Sequence, residues 1–415
     1  MQSGWRVGSL FGIPFFIDPS WVSVLLLIAI PTGLRWQQGF PQWGVALAYG
    51  MGVVMALLLF TSVVLHELGH SLVAKSQGIK VNSITLFLFG GIASIEEESK
   101  TPGKAFQVAI AGPMVSFSLA ALLGAIAYAF PSPTSVVNVL ASNLAWTNLI
   151  LALFNLIPGL PLDGGQVLKA AVWKVTGSRF KGIHWAARTG KILGWLAILW
   201  GTFGLVMGNF SGLWIAFLGW FGVRNATNYD RVTDLQETLL HIKAADAMLR
   251  DFRVVDAEMT LRQFADTYLL ETACSTTYFA ASHGRYRGMV SITALHTIER
   301  SEWETETLFR IIQPLADIPS VEETASLVTV IQLMESAQLK RLTVLFPAGV
   351  VAGVIDRGDI VRVLAQKMKL PVSEALIKQI KEEGIYPPGF QLGTIAQAAA
   401  DALPHPEVSR LKVNH

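Results

Sequence analysis

Residues 61–74 read TSVVLHELGHSLVA, and three of them decide how the rest of the chain is read. On an α-helix, positions four apart lie about 40° apart around the axis, so His66 and His70 project from one face within reach of a single ion. Glu67 stands one position round. This is the HExxH pattern, in which two imidazoles hold Zn²⁺ and the carboxylate takes a proton from the metal-bound water. A helix that carries two histidines and a glutamate for no chemical reason is the plain alternative, and the flanking sequence weighs against it. From Trp36 to Leu65 there is no Asp, Glu, Lys, Arg or His, so the motif closes an apolar run of membrane length. Ionisable groups at that depth are costly and point to a function.

The composition divides in the same way. The 415 residues are 52% hydrophobic and 15% charged, with a mean hydropathy of +0.46. Residues 1 to about 225 are apolar, rich in Trp and Gly and nearly free of acid, whereas the remainder has the mixed charge of a globular domain. Two regions in different solvents follow, a membrane core over 1–228 and a soluble module over 232–368, with a tail over 369–415 after them. A net charge of +2 without a dense Lys/Arg block gives no sign of a nucleic-acid partner. The lone cysteine, Cys274, has no partner for an internal disulfide and fits a reducing compartment.

Outward from the motif, residues 4–21 read as a small hairpin or interfacial ribbon, and Pro19 to Leu34 as a first span closed by Arg35. The second span, about Trp43 to Ala74, carries the HExxH. Val81 to Phe89 has strand composition and Gly90-Gly91 interrupts it, so this segment must be covered by protein or line a wet cavity. Ala105 to Leu162 is again uncharged, enough for two spans with a turn at Phe130 to Pro133. Within it, Ala111-Gly112-Pro113, Ser116, Ser118 and Ala120 supply the small residues of close helix packing, and packing alone is the simpler reading.

The second half of the chemistry lies in FNLIPGLPLDGGQ, residues 154–166. Asp163 is the first charge after the uncharged run, and a site with two histidines lacks a third ligand. The competing reading makes Asp163 a cap for the helix beginning at Gly164-Gly165.

HELGH at 66–70, FGG at 89–91, AGP at 111–113 and NLIPGLPLDGG at 155–165 together resemble the site-2 protease family of intramembrane zinc metalloproteases. The likeness covers roughly residues 5–225 and implies a polytopic α-helical core of six spans with small β elements. It also implies a set of roles: His66, His70 and Asp163 as zinc ligands, Glu67 as general base, and Asn155 as a donor to the substrate or the developing oxyanion. Gly90 and Gly91 match the loop that seats an extended substrate strand. For Asn155, packing or a helix-end hydrogen bond is the alternative.

The charge pattern bears on topology without the family. Residues 169–191 hold Lys169, Lys174, Arg179, Lys181, Arg188 and Lys191 and no acid. The positive-inside rule makes this basic loop cytoplasmic, which puts the N-terminus, the C-terminus and both halves of the metal site on that side. Ile192 to Val223, broken at Gly208 to Gly212, supplies spans five and six. His184 belongs to the interfacial basic face.

Beyond Asn225 a weak repeat emerges. Thr260 or Ser326 opens an apolar-periodic helix at Leu261 or Leu327, and Gly288 or Gly353 follows in a short strand. About residues 240–367 resemble a tandem pair of CBS domains, an α/β module. The resemblance implies an adenine nucleotide held by a Gly-x-x-Ser/Thr-x-x-Asp run. The first copy has Ala294 where the Asp belongs, and the second has Asp356 in the Ser/Thr place with Gly353 and Asp359 intact. A module that pairs chains into a homodimer or regulates without nucleotide is the alternative.

The expectation is a zinc endopeptidase that cuts a transmembrane or membrane-proximal segment of a protein substrate in the lipid bilayer. The segment Val81 to Ser94 pairs with the opened substrate strand, and the CBS pair regulates. The family implies regulated release of a signalling factor. An ion or metal transporter with a CBS regulator explains the architecture equally well, but gives Glu67 no task.

Overall fold

The computed structural model describes residues 4–87, 90–95, 98–269, 277–387 and 390–401; Phe89 of the FGG motif and Cys274 lie outside them. The chain divides into two compact units, Met1–Thr233 and Asp234–His415.

The first unit opens with strands β1 (Trp5–Leu10) and β2 (Ile13–Ile17), joined by Phe11 and Gly12 at φ 53° and 79°. Two consecutive positive φ values match the right-handed twist of a tight hairpin. Helix α1 (Ser20–Gly39) follows, with Pro31 inside it, and then α2 (Gly44–Ser76), the helix of the HExxH. At 1.5 Å per residue α2 is about 50 Å long, so it projects well beyond an apolar layer of about 30 Å. Next come β3 (Val81–Phe87) and β4 (Gly90–Ile95), which pair antiparallel. Gly90 and Gly91 therefore begin the returning strand, opposite Phe87 and Leu86, rather than merely interrupting an extended run.

The sheet order is β1-β2-β3-β4, with β2 and β3 parallel, so among the described residues β4 has an open edge. Ile13, Phe15 and Ile84 of the sheet form one buried cluster with Leu68 of α2, which seats the sheet on the helix of the histidines. Helix α3 (Pro102–Ala129) starts at a Thr101 cap with proline in its first turn, and α4 (Val136–Asn155) ends at the asparagine of the second motif. Helices α5 (Asp163–Thr176) and α6 (Arg179–Val206) follow, and the unit ends within α7 (Ser211–His241) at Thr233.

Among the described residues, four segments are long and apolar enough to cross a membrane: Pro41–Ser76, Pro102–Ala129, Val136–Asn155 and Arg179–Val206. Helix α1 contains Pro31 and runs on through Arg35, while α7 carries charges through its second half. The basic stretch 169–191 is not a loop. It forms the second half of α5 and the first half of α6, separated by left-handed Gly177 and the Ser178 cap. Lysine and arginine are good helix formers, and their long stems let a helix keep its charges away from apolar surroundings, so charge density alone did not mark a break.

The second unit repeats one plan. After α8 (Ala244–Ala247), its first half runs β5 (Phe252–Asp256), α9 (Leu261–Phe264), β6 (Thr277–Ser282), β7 (Arg285–Val290), α10 (Ile292–Leu295) and β8 (Ile312–Pro314). Its second half runs β9 (Ser320–Glu322), α11 (Leu327–Ser336), β10 (Arg341–Leu345), β11 (Val351–Asp356) and α12 (Arg357–Met368). Both halves pair a parallel strand across a helix and then an antiparallel one. Thr260 and Ser326 cap α9 and α11 with their side chains, the role their repeated position anticipates. The tail adds α13 (Glu374–Glu383) and α14 (Leu392–Asp401), whose Ile380, Leu392, Ala396 and Ala399 enter the core of the second half.

Candidate metal centre

His66 and His70 lie one turn apart on α2, buried where that helix crosses α3 and the start of α5. The His66 Nε2 and His70 Nε2 atoms stand 3.3 Å apart, and Asp163 Oδ2 lies 3.1 Å from the first and 3.3 Å from the second. Among the described residues this is the one group of three or more His, Cys, Asp or Glu side chains able to share an ion. Four ligands at zinc's usual 2.0–2.1 Å define a tetrahedron with edges of about 3.3 Å. The observed triangle has that size, and two imidazoles with one carboxylate leave a fourth position open.

The far side of each ring agrees. His70 Nδ1 donates to the Val108 carbonyl of α3 at 2.6 Å, which leaves Nε2 as the ring's lone pair. His66 Nδ1 lies 2.9 Å from Ser116 Oγ, a residue with no exposed surface. Such outer partners fix the tautomer and the orientation of a ligating ring.

Gly112 of α3 packs directly on the centre. A Cβ built there would fall on His70 Nε2 and within 2.6 Å of His66 Nε2. The AGP motif thus keeps a space empty at the ligand atoms. Its next residue, Pro113, lacks an N–H for Ala109 and loosens the helix beside the carbonyl that His70 uses. Ser116, four residues after Gly112, sits on the same helix face. The i,i+4 match between Gly112/Ser116 and His66/His70 was the available signal, but in an apolar helix glycine and serine also read as packing residues.

Asp163 is the first residue of α5, yet the cap position is Leu162 and the N-terminus has no side-chain cap bond. The carboxylate turns to the histidines instead. Asn155, the last residue of α4, brings Nδ2 to 3.4 Å from His66 Nε2. Glu67 lies on the other side, against β4: a Cβ on Gly91 would meet Glu67 Cγ at 2.5 Å, so only glycine lets the strand approach the carboxylate.

These groups line a cavity of about 1090 Å³. Its walls include Val24 and Ile28 of α1, Leu151 of α4 and Leu218 of α7, and one side is formed by Gly91, Ala93 and Ile95, alternate residues of β4. At another part of its wall, Glu98 accepts from Lys169 Nζ and Arg179 Nη2, both at 2.9 Å. Half of the Glu98 side chain is exposed, yet its crowded surroundings raise its pKa by desolvation. The two cations outweigh that and hold the carboxyl at about 2. His184, expected on a basic face, pairs through Nδ1 with Asp230 Oδ1 at 2.6 Å, and Lys191 takes Oδ2 at the same distance.

In the second unit, Asp359 is almost wholly buried and its oxygens are engaged. Oδ2 accepts from the Asp356 amide at 3.3 Å in a reciprocal capping box, while Oδ1 faces Lys381 Nζ of α13 at 2.6 Å and Arg362 Nη1 at 3.0 Å. In this arrangement both oxygens already have partners within the unit. Burial and the neighbouring Asp356 raise its pKa above the usual aspartate value, against the pull of Lys381. Gly353 lies in β11 where a Cβ would press on Leu249 O at 2.9 Å, so its smallness serves strand packing.

Comparison with known proteins gives the same two parts. The model of peptidase family M50 matches residues 54–142 and 132–197, and that of the CBS domain matches 311–366. A Synechocystis chain assigned as a zinc metalloprotease is 40% identical over 369 residues, covering 88% of this chain and 96% of that one. A Mycobacterium tuberculosis chain with the same assignment is 31% identical over 318 residues, covering 76% and 81%. Among solved structures, the site-2 protease from Methanocaldococcus jannaschii is 31% identical, covers 55% of this chain and 95% of its own, and superposes with a TM-score of 0.40.

Proposed function

As this chain belongs to peptidase family M50, the site-2 proteases, and is a membrane zinc metalloprotease, we propose that it cuts a transmembrane or membrane-proximal segment of a protein substrate at the centre formed by His66, Glu67, His70 and Asp163. The observation that carries this reading is the convergence of three ligand atoms within 4.8 Å, with Glu67 beside them, on a cavity bounded by the open edge of a sheet. His66, His70 and Asp163 would hold the zinc, which when bound would supply a water of lowered pKa, about 7, and polarise a carbonyl. Glu67 would accept a proton from the attacking water and deliver it to the leaving amine. Asn155 Nδ2 donates to the carbonyl oxygen as its charge develops. Gly90 and Gly91 let an unwound substrate strand lie along β4, where main-chain hydrogen bonds replace those of its own helix.

We read α1, α2, α3, α4, α6 and α7 as six spans, with both termini and the second unit cytoplasmic. The six basic residues of 169–191 favour that side. The second unit acts as a CBS regulator that also pairs two chains. Adenine nucleotide there has to displace Lys381 from Asp359, so Lys381→Ala should raise nucleotide affinity in calorimetry on the full chain. No heat in either protein withdraws the nucleotide.

The deciding experiment reconstitutes the zinc-loaded protein in bilayers with a single-span substrate and locates the cut by mass spectrometry. Cleavage within or beside the span, lost in Glu67→Gln with zinc retained, is expected. Unchanged cleavage by Glu67→Gln would remove the assignment, and a transport reading would then have to be reopened.

A further inference from the structure

The chain leaving β4 is tied down. Glu98, three residues beyond Ile95, accepts from Lys169 of α5 and from Arg179, the first residue of α6. Lys169 stands on the cavity-lining side of α5, as do Asp163 and Gln166 before it. The Lys169 and Arg179 side chains are only 8% and 9% exposed. Lysine and arginine at a helix surface ordinarily extend their charged heads into water; here both turn inward onto one carboxylate. Burying the two cations carries a desolvation cost that a half-exposed carboxylate offsets only in part, so stability is a poor reason for the arrangement. Its geometric effect is specific. β4 pairs with β3 along its length, from Gly90 to Ile95, with Gly91 against Glu67, and Glu98, three positions beyond it, is bound to the helix that begins with Asp163.

We propose that Glu98, Lys169 and Arg179 form a positioning clamp, which holds the open edge of β4 in register with α5, so that a substrate strand paired along β4 presents its scissile bond at the metal centre. The proposal rests on the reading that substrate pairs with β4. The three residues touch neither the bond that breaks nor the ligand atoms; they act through the strand. Loss of the clamp leaves the edge of β4 less well placed to accept a strand, which weakens main-chain pairing that holds ground state and transition state alike. The defect should therefore appear in proportion to how far a substrate extends along β4.

The test uses the full chain in nanodiscs, loaded with zinc, and two substrates: a single-span protein and a short peptide that spans the scissile bond but ends before Ile95. Lys169→Met and Glu98→Gln should each raise KM for the single-span protein by about tenfold, with kcat changed by less than about twofold and zinc content equal. The short peptide should be far less affected. The exchange Glu98→Lys with Lys169→Glu still leaves one carboxylate between two cations and should restore KM to within about threefold. Equal losses on both substrates, a fall in kcat alone, or failure of the exchange to restore KM would overturn the clamp; so would lower zinc content in all variants including the exchange. A third substrate, N-methylated on alternate amides, tests the underlying reading separately. If methylation leaves KM unchanged, strand pairing fails; if it raises KM while Lys169→Met does not, only the clamp fails.

Discussion

Asp163 and Asp359 are both aspartates in the first turn of a helix, and they do opposite things. Asp359 follows the local rule: it closes a capping box with Asp356 and takes Lys381 and Arg362 on its remaining oxygen. Asp163 breaks that rule. It leaves the N-terminus of α5 without a side-chain cap and faces two histidines of another helix. A carboxylate satisfied by its own helix and nearby cations can take a ligand only by giving up one of those partners. One withheld from its own helix, with two ring nitrogens about 3 Å away, is poised for a cation. The residue type and the first helical turn are shared, but Asp163 is the first residue of α5 and Asp359 the third of α12, so register as well as surroundings sets the difference.

The largest effect that could break this contrast is at Asp163. Asp163→Ala should release zinc and abolish cleavage, whereas Glu67→Gln should keep zinc and lose activity by about 10²- to 10⁴-fold. Metal analysis beside a cleavage assay separates the two, and full zinc occupancy in Asp163→Ala would make the aspartate a structural residue after all. Next is Gly112→Ala. Its methyl group falls on His70 Nε2, so zinc affinity should drop by roughly 100-fold, as when the surroundings of a metal site are badly disturbed, while the helical circular dichroism stays unchanged. Normal zinc binding would show that α3 can retreat from the centre.

Ser116→Ala is a smaller change of the same kind. The His66 ring loses its outer partner, and affinity should fall by about tenfold in a chelator competition. Ser116→Thr, which keeps a hydroxyl, should recover part of it. At the far end of the scale, Asp359→Ala should leave zinc and basal cleavage alone and lower the unfolding free energy of the second unit by about 1.5 to 3 kcal/mol through lost charged hydrogen bonds. Denaturant unfolding followed through Trp303, the tryptophan of that unit, reads this directly. A gain in stability would mean that the acid is held strained for some ligand, and the contrast with Asp163 would collapse.

How much of this the sequence disclosed depends on whether chemistry restricts the residue type. Two histidines and a glutamate inside an apolar run admit few readings, and an aspartate at the end of the next uncharged run admits few more. Gly112 and Ser116 were visible as small residues, but what makes them matter is α2 lying across them, and that crossing has no local signature. The hairpin at residues 4–21 and the paired caps at Thr260 and Ser326 were readable because turns and caps depend on neighbours within four residues. The helical state of 169–191 was not, since basic residues suit a loop or an interfacial helix equally well. The partners of Asp359 were hidden for a related reason: the spacing to Gly353 and Asp356 is local, whereas Lys381 arrives from α13, beyond the repeat.

The order of the ligands along the chain has a consequence in time. His66 and Asp163 are separated by 97 residues, which a ribosome adding about 5–20 residues per second needs roughly 5–20 s to make. Throughout that interval α2 is in place with two ligands and a base, and the third ligand does not yet exist. Until then the centre lacks one of its three ligand side chains. It can be completed only once α5 has been made, when most of the residues that line the chamber already exist and those of α6 and α7 are still to come.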